Sequence, residues 1–73
     1  MTEKEFEMVK ALYDSYDKTM NYWTVPFAID AVDCILESRG IRKEEDEEFY
    51  FDSYNEISIQ IGSRFLDDPY ILM

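Results

Sequence analysis

Histidine is absent from this sequence, and cysteine occurs only once, as Cys34. Without histidine the chain lacks the commonest general base and metal ligand. One cysteine cannot form an intrachain disulfide, a zinc site or a Cys-His nucleophile pair. Only two glycines are present, and neither the Walker nor the dinucleotide-binding pattern occurs. These absences predict a protein that is not an enzyme and that needs neither a cofactor nor a metal ion.

Carboxylates are the one catalytic group present in quantity, because Asp and Glu together number 17. Pairs of carboxylates can hydrolyse glycosides or hold a magnesium ion. With so many acids, however, a pair arises by chance, and catalysis also requires a cleft. We expect so short a chain to lack a pocket of the usual size, about 300 Å³ or more. The prediction of a non-enzymatic protein therefore stands.

The length of 73 residues is near the lower limit for a domain with its own hydrophobic core, so residues 1–73 are predicted to form one domain. Hydrophobic residues make up 47% of the chain, which is enough for it to fold. The first residues lack the basic and apolar regions of a signal peptide, and no apolar run is long enough to span a membrane. We therefore expect a soluble cytoplasmic protein, located in the host cytoplasm if a phage encodes it.

The net charge is strongly negative, at −10, with only seven Lys and Arg residues. Nucleic-acid binding requires clustered cations, and the only adjacent pair, Arg42 and Lys43, is followed directly by Glu44. The sign of the charge also disfavours anionic membrane surfaces. The charge therefore predicts a basic protein partner and no direct contact with nucleic acid or membrane.

Two segments have the apolar periodicity of helices. The first, about 3–20, follows a capping box formed by Thr2 and Glu5. The second, about 25–39, has a proline in its first turn and ends before Gly40, since glycine commonly terminates helices in a left-handed conformation. We expect the two helices to pack antiparallel.

The rest of the chain is predicted to form strands. The acidic run 44–48 should repel itself in a compact structure, so we expect a solvated loop or a frayed turn there. Residues 48–52 and 56–61 are rich in aromatic and β-branched side chains, and Ile59 alternates with two other isoleucines. Residues 70–73 would form a last short strand or an apolar tail. The predicted fold class is therefore α+β, with two antiparallel helices packed on a small antiparallel β-hairpin or three-stranded sheet.

An all-α three-helix bundle is the alternative. Ser53 and Glu56 match a second capping box at the start of a third helix. The residues that would share its apolar face are Tyr54, Ile57, Ile61 and Phe65. On that helix Ile59 would point away from the core, whereas in a strand it would point toward the core with its isoleucine neighbours. We favour the strand for that reason.

Helix 2 is apolar over most of its circumference. Its main apolar face is extended around the back by Phe27, Ala31 and Cys34, which leaves only one polar stripe. We expect a chain this short to be unable to cover so broad an apolar surface alone. We therefore predict that these three residues form the interface of a homodimer or larger oligomer.

The polar stripe of helix 2 consists of Asp30, Asp33 and Glu37. Neighbours on such a stripe are about 5–6 Å apart, which is comparable to the spacing of phosphates on a DNA strand that rises about 3.4 Å per nucleotide. A fixed row of carboxylates could therefore occupy a cationic groove that normally binds nucleic acid. The alternative is that these acids only keep the surface solvated. Taken alone, the stripe favours this alternative. The net charge shifts the balance toward a binding surface, since a magnitude of about 2–8 suffices for solubility.

The predicted partner-binding surface combines this stripe with the acidic run and two flanking tyrosines, because tyrosines beside charges are typical interface anchors. Its members are Asp30, Asp33, Glu37, Glu44, Glu45, Asp46, Glu47, Glu48, Tyr50 and Tyr54. In being tiny, acidic and rich in aromatics, the chain resembles the small inhibitory proteins of bacteriophages and mobile elements, a group defined by strategy and not by a motif. We predict an inhibitor or modulator that blocks a basic surface of a host protein, such as a nucleic-acid enzyme, by charge mimicry. The alternative is a small homo-oligomeric structural or assembly protein.

Overall fold

The protein is an all-α bundle of three helices. A computed structural model describes all 73 residues, which form α1 (Glu3–Ser15), α2 (Thr24–Arg39), α3 (Glu47–Ile61) and a final π-helical turn (Gly62–Leu66). Helix α2 contacts both α1 and α3. None of the helices combines the length and the apolar character that crossing a membrane requires. The predicted α+β fold is therefore wrong, and the alternative of a three-helix bundle describes the chain.

Helix α1 begins at the predicted capping box. The Thr2 hydroxyl accepts a hydrogen bond from the Glu5 amide at 3.1 Å, and the Glu5 carboxylate accepts one from the Thr2 amide at 2.8 Å. Two amide groups at the helix start are satisfied in this way. The prediction of this helix start is confirmed.

Helix α1 ends at Ser15, earlier than the predicted residue 20. Tyr16 is extended, with φ of −74° and ψ of 142°. Beyond it the Asp17 carboxylate accepts hydrogen bonds from the amide and the hydroxyl of Thr19. Such local bonds offer the backbone an alternative to the helix. They end α1 where apolar periodicity alone predicted that it would continue.

Helix α2 ends as predicted at Gly40, which is left-handed with φ of 71°. The Gly40 amide donates to the Glu37 carbonyl at 3.1 Å, and the Ile41 amide donates to the Leu36 carbonyl at 3.0 Å. These two bonds are those of a Schellman motif, and they satisfy carbonyl groups at the helix end. The observed start at Thr24 lies one residue from the predicted one.

The core is built around α2, which α1 and α3 cover from two sides. Its eight fully buried residues are Val9 of α1, then Phe27, Ala31, Val32, Ile35 and Leu36 of α2, and Ile57 and Ile61 of α3. The Phe27 ring lies edge-on to the rings of Tyr13 and Tyr16, at centroid distances of 5.4 and 5.6 Å, a favoured aromatic geometry. Burial of one such side chain contributes about 1.5–3 kcal/mol. The chain therefore covers its most apolar helix without a second subunit.

Helix α3 begins inside the acidic run. The Asp46 carboxylate accepts a hydrogen bond from the Phe49 amide at 3.0 Å, which is the geometry of a helix N-cap. Glu47 and Glu48 follow in the first turn, where the positive end of the helix dipole stabilises carboxylates. The predicted solvated loop over 44–48 is therefore wrong for its second half, because these acids stabilise a helix start.

The isoleucines of α3 follow the helical period. Ile57 and Ile61 are buried in the core, whereas Ile59 has 38% of its surface exposed. Their alternation in the sequence also fits a helix that carries one exposed isoleucine. The predicted hairpin over 48–52 and 56–61 is therefore wrong, because a capped helix buries Ile57 and Ile61 in the core without any strand partner.

The C-terminal segment folds back on the end of α3. Asp67 is left-handed with φ of 52°, and the Asp68 amide donates to the Gly62 carbonyl at 3.0 Å. A Cβ atom on Gly62 would lie 2.0 Å from the carbonyl oxygen of Asp68, so a residue with a side chain does not fit. Leu72 packs against the core, and residues 70–73 contain turns and no strand.

One ion pair joins α1 to α2. Arg39 donates from Nε to Oε2 of Glu5 at 2.6 Å and from Nη2 to Oε1 at 2.9 Å. Glu5 is buried with 6% of its surface exposed, and no other carboxylate lies within 4.0 Å of a cationic nitrogen. The hydrogen bonds from Arg39 lower the pKa of Glu5 from 4.5 to about 2, although burial acts in the opposite direction.

Replacement of Glu5 should reveal this ion pair through its pH dependence. We expect Glu5→Gln to lower the free energy of unfolding at neutral pH by about 2 kcal/mol, because the variant loses a charge-assisted two-point contact. Since the folded pKa is depressed, the contribution is complete above the ordinary value of 4.5 and is lost as the pH falls toward 2. Urea denaturation across this range measures the difference. The exposed Glu7→Gln is the control, expected within about 0.5 kcal/mol of wild type, and a Glu5→Gln difference that persists near pH 2 would contradict the pair.

Alanine substitutions at the two glycines should lower stability for different reasons. At Gly62 the cause is a steric clash with the backbone, and at Gly40 it is the left-handed backbone conformation. Gly62→Ala brings a methyl group against the Asp68 carbonyl, and we expect a loss of about 3 kcal/mol. Gly40→Ala meets no atom within 4 Å, and its left-handed φ should cost about 1–2 kcal/mol. Thermal unfolding followed by circular dichroism compares the two variants. A larger loss for Gly40→Ala would argue against the close approach at Gly62.

Candidate functional site

Three carboxylates form a row on the outer side of α2. Asp30, Asp33 and Glu37 are all exposed, and the unbroken helix gives them spacings of three and four residues on one stripe. At about 1.5 Å of rise per residue, the row is about 10 Å long. We call these three residues the acidic ridge.

The carboxylates of the acidic ridge repel one another. Partial burial raises the pKa of Asp33, and the negative charges of Asp30 and Glu37 raise it further. The side-chain carboxylates of Asp33 and Glu37 accept no hydrogen bond within the chain, and neither has a cation within ion-pair distance. A cation brought to the ridge from outside would therefore relieve repulsion that the folded chain leaves in place.

Tyr16 joins the end of α1 to the ridge. Its hydroxyl donates a hydrogen bond to the Asp30 carboxylate. This bond, together with burial and the negative charge of Asp30, raises the pKa of Tyr16 to about 12. Sequence reasoning missed the contact because it placed Tyr16 inside a longer first helix, whereas α1 ends one residue earlier.

A groove of about 750 Å³ runs between α1 and the acidic ridge. Its lining residues are Met8, Ala11, Leu12 and Ser15 of α1, and Asp30, Asp33, Cys34 and Glu37 of α2. The expectation that the chain has no pocket above about 300 Å³ is therefore wrong, although the groove is an open one. The sequence does contain a pattern that could have predicted this groove. Met8, Ala11, Leu12 and Ser15 follow the i, i+3, i+4, i+7 spacing, so they share one face of α1 in addition to the face that packs in the core.

A second cleft, of about 410 Å³, lies on the other side of the ridge. Asp33 and Glu37 line it together with Glu44 and Tyr50 of the predicted surface. Arg42 and Lys43 also line this cleft, so its charge is mixed. The ridge therefore separates a purely acidic and apolar groove from a cleft that holds both signs of charge.

The acidic run does not extend the ridge as a whole. Glu44 reaches the second cleft, and Glu45 is exposed in the turn before α3. Asp46, Glu47 and Glu48 lie at the start of α3, where they cap the helix or interact with its dipole. Of the five acids, only Glu44 is brought to the same cleft as the ridge.

The two tyrosines of the predicted surface are half-buried. Tyr50 and Tyr54 both pack against the core, with their rings 6.1 Å apart. Burial raises the pKa of Tyr54, and the charge of Asp33 adds to this effect. Both residues support the fold, so an alanine substitution at either position would disturb packing as well as any partner contact.

The predicted oligomer interface is wrong for two of its three residues. Phe27 and Ala31 have none of their surface exposed in the single chain, so they cannot contact a second subunit. Cys34 is half-buried and lines the groove beside α1. The physical reason is that the face assigned to a partner subunit is covered by α1.

No group of three or more potential ligand side chains converges on a site for a metal ion. No protein-family model matches the chain, and no significant match was found among curated proteins or solved structures. The geometry of the acidic ridge and its groove is therefore the basis for any functional interpretation.

Neutralising Asp33 should not destabilise the protein. Because the pKa of Asp33 is raised, its charged form is disfavoured in the fold, and Asp33→Asn should raise the melting temperature at neutral pH and low salt. The gain should shrink as the pH falls, since wild-type Asp33 then becomes protonated as well. Asp52→Asn, on the exposed side of α3, is the control that removes the same charge elsewhere. A clear loss of stability for Asp33→Asn would mean that the carboxylate has a structural role.

Proposed function

We propose that this protein is a non-enzymatic inhibitor or modulator that binds a basic surface of a partner protein through the acidic ridge. The partner's surface is one that normally binds nucleic acid, and the ridge occupies it by charge mimicry. Such a strategy fits a small protein encoded by a phage or mobile element that acts in the cytoplasm of the host. The single observation that carries the proposal is that Asp33 and Glu37 lie one helical turn apart, with no hydrogen-bond donor on either carboxylate and no cation of the chain within 4.0 Å, so that mutual repulsion helps to raise the pKa of Asp33.

Five other carboxylates of the chain have partners within it, whereas Asp33 has none and its pKa is raised by burial and by its two acidic neighbours. Those that accept hydrogen bonds are Glu5, Asp17, Asp30, Asp46 and Asp68. Each of these five carboxylates caps a helix, closes a turn or joins two helices. Asp33 and Glu37 have no such role, and their repulsion works against the fold. Contact with an external cation is the function that this arrangement supports best.

The geometry of the ridge supports a nucleic-acid-binding surface as the target. Neighbouring carboxylates on one helical stripe are about 5–6 Å apart, which is comparable to the separation of successive phosphates along a strand of DNA. A groove whose Lys and Arg side chains are spaced for phosphates could therefore accept the ridge. The helix favours this match, because its backbone spaces the three side chains before binding and only their rotamers remain to be ordered.

The alternative of a homo-oligomeric assembly protein was based on apolar residues of α2 that were expected to be exposed. Phe27 and Ala31 are buried within one chain and offer no surface to a second copy. The apolar residues of α2 that remain exposed are Val25 and Ile29, each with 38% of its surface accessible. Two partly exposed side chains form a much smaller patch than stable dimers use.

The proposal is tested with a ridge variant that carries Asp30→Asn, Asp33→Asn and Glu37→Gln. We expect wild type, but not the ridge variant, to retain a nucleic-acid-binding protein from a host lysate, identified by mass spectrometry. The purified partner should release its nucleic acid when wild type is added. Because attraction between opposite charges is screened over about 8 Å at physiological salt, the wild-type association rate should fall steeply as salt rises, and that of the ridge variant should change less.

The matched control carries Glu7→Gln, Asp14→Asn and Asp52→Asn, which removes the same charge from exposed positions outside the ridge. If net charge alone drives binding, both triple variants should lose affinity equally. If the partner binds the ridge variant as fast and as tightly as wild type across the salt series, the ridge is only a solvated surface and the proposed function is wrong.

A further inference from the structure

The groove between α1 and the acidic ridge has two chemically different walls. Met8, Ala11 and Leu12 of α1 line one wall, and the acidic ridge forms the other. Cys34 lines the groove as a half-buried side chain. The groove therefore offers apolar contact along one side and negative charge along the adjacent side.

Polar contacts hold α1 and α2 together near both ends of this groove. At one end the Tyr16 hydroxyl bonds to Asp30, which is the first residue of the ridge. Toward the other end the Arg39 guanidinium binds Glu5, two residues beyond the last carboxylate of the ridge. The width of the groove is set by these contacts in the free protein, so an occupant need not open it.

The arrangement of the walls selects the conformation of an occupant. A β-strand places successive side chains on opposite faces, so its cationic and apolar residues would point in opposite directions. An amphipathic helix carries a cationic stripe directly beside an apolar one, as the two walls require. Its cations would recur every three or four residues, which matches the spacing of Asp30, Asp33 and Glu37 on α2.

We propose that the groove binds a cationic amphipathic helix of the partner protein. Lys or Arg side chains of that helix lie along the acidic ridge, and its apolar side chains lie against Met8, Ala11 and Leu12. The proposal rests on the proposed function in requiring a basic partner, and it adds which structural element of that partner makes the contact. The groove is lined by three carboxylates and no cation, an arrangement that disfavours an acidic helix.

Cys34 allows the occupant to be detected at the groove, because it is the only thiol of the chain. The probe is a synthetic Leu/Lys peptide of about 18 residues, or five turns, with the amphipathic pattern of a helix. At about four times its Kd this peptide should slow the alkylation of Cys34 by iodoacetamide about fivefold, because the free fraction falls to one fifth. A peptide of the same composition in which Leu and Lys alternate, and one in which Gln replaces every Leu, should slow the reaction much less.

Two variants test whether binding depends on the apolar wall of the groove or on another part of the surface. Ala11→Gln fills the groove at an exposed position without a change of charge, and it should weaken both the protection of Cys34 and the binding of the partner about tenfold or more, which is the effect of about 1.4 kcal/mol. Asn55→Gln, an exposed change on α3, should leave both unchanged.

The outcomes distinguish this proposal from the proposed function. Equal protection by all three peptides would mean that charge alone is recognised, and it would overturn the helix. Slower alkylation at higher protein concentration without peptide would assign the groove to a second copy of the chain, and it would overturn the proposal too. If the ridge variant loses the partner but Ala11→Gln does not, the proposed function stands and the groove contact is wrong. If neither variant loses it, both are wrong.

Discussion

Helix α2 is apolar over most of its circumference, and the rest of the structure depends on how that surface is covered. Helix α1 packs on one side and α3 on the other, so residues of α2 fill more than half of the buried core. The positions left outward form one narrow arc, and this arc holds the acidic ridge. The same packing that stabilises the chain therefore confines the carboxylates of α2 to a single line.

The acids of this chain do not all serve the same purpose. Asp46 and its two neighbours stabilise the start of α3, and Glu5 both caps α1 and pairs with Arg39. These contacts explain part of the high acid content through the stability of short helices, which need well-satisfied ends in a chain of this size. They do not explain Asp33, whose raised pKa indicates that its charge is disfavoured in the fold. The ridge, and not the net charge, is therefore the feature of this chain that bears on function.

Local signals in the sequence were sufficient to predict the start of α1 and the end of α2, whereas α2 starts at Thr24, one residue before the predicted position, and has no side-chain cap. Thr2 with Glu5, and Gly40, act through hydrogen bonds to residues within one or two turns, so their geometry follows from the sequence. Local signals could not decide whether residues 47–61 form a helix or a strand. The alternation of Ile59 with its isoleucine neighbours fits a strand, but a helix with Ile59 exposed on its surface has the same sequence. The groove was equally hidden, since it arises only when α1 packs beside Cys34. Burial of Phe27 against α1 likewise depends on that packing, and the apolar pattern around α2, taken alone, suggested a second subunit instead.

The position of the ridge on α2 also bears on how selective its binding can be. A disordered acidic tail adapts to many basic surfaces, but it loses conformational entropy on each of them. The ridge belongs to the helix that contributes most to the core, so its carboxylates are held at fixed spacings before any partner arrives. A partner with cations at matching positions gains the full interaction, whereas one with a different spacing leaves a carboxylate unpaired and partly desolvated. If the ridge binds a basic partner as proposed, charge attraction would bring many basic proteins to this surface, and the geometry of the ridge and its groove would determine which of them stay bound.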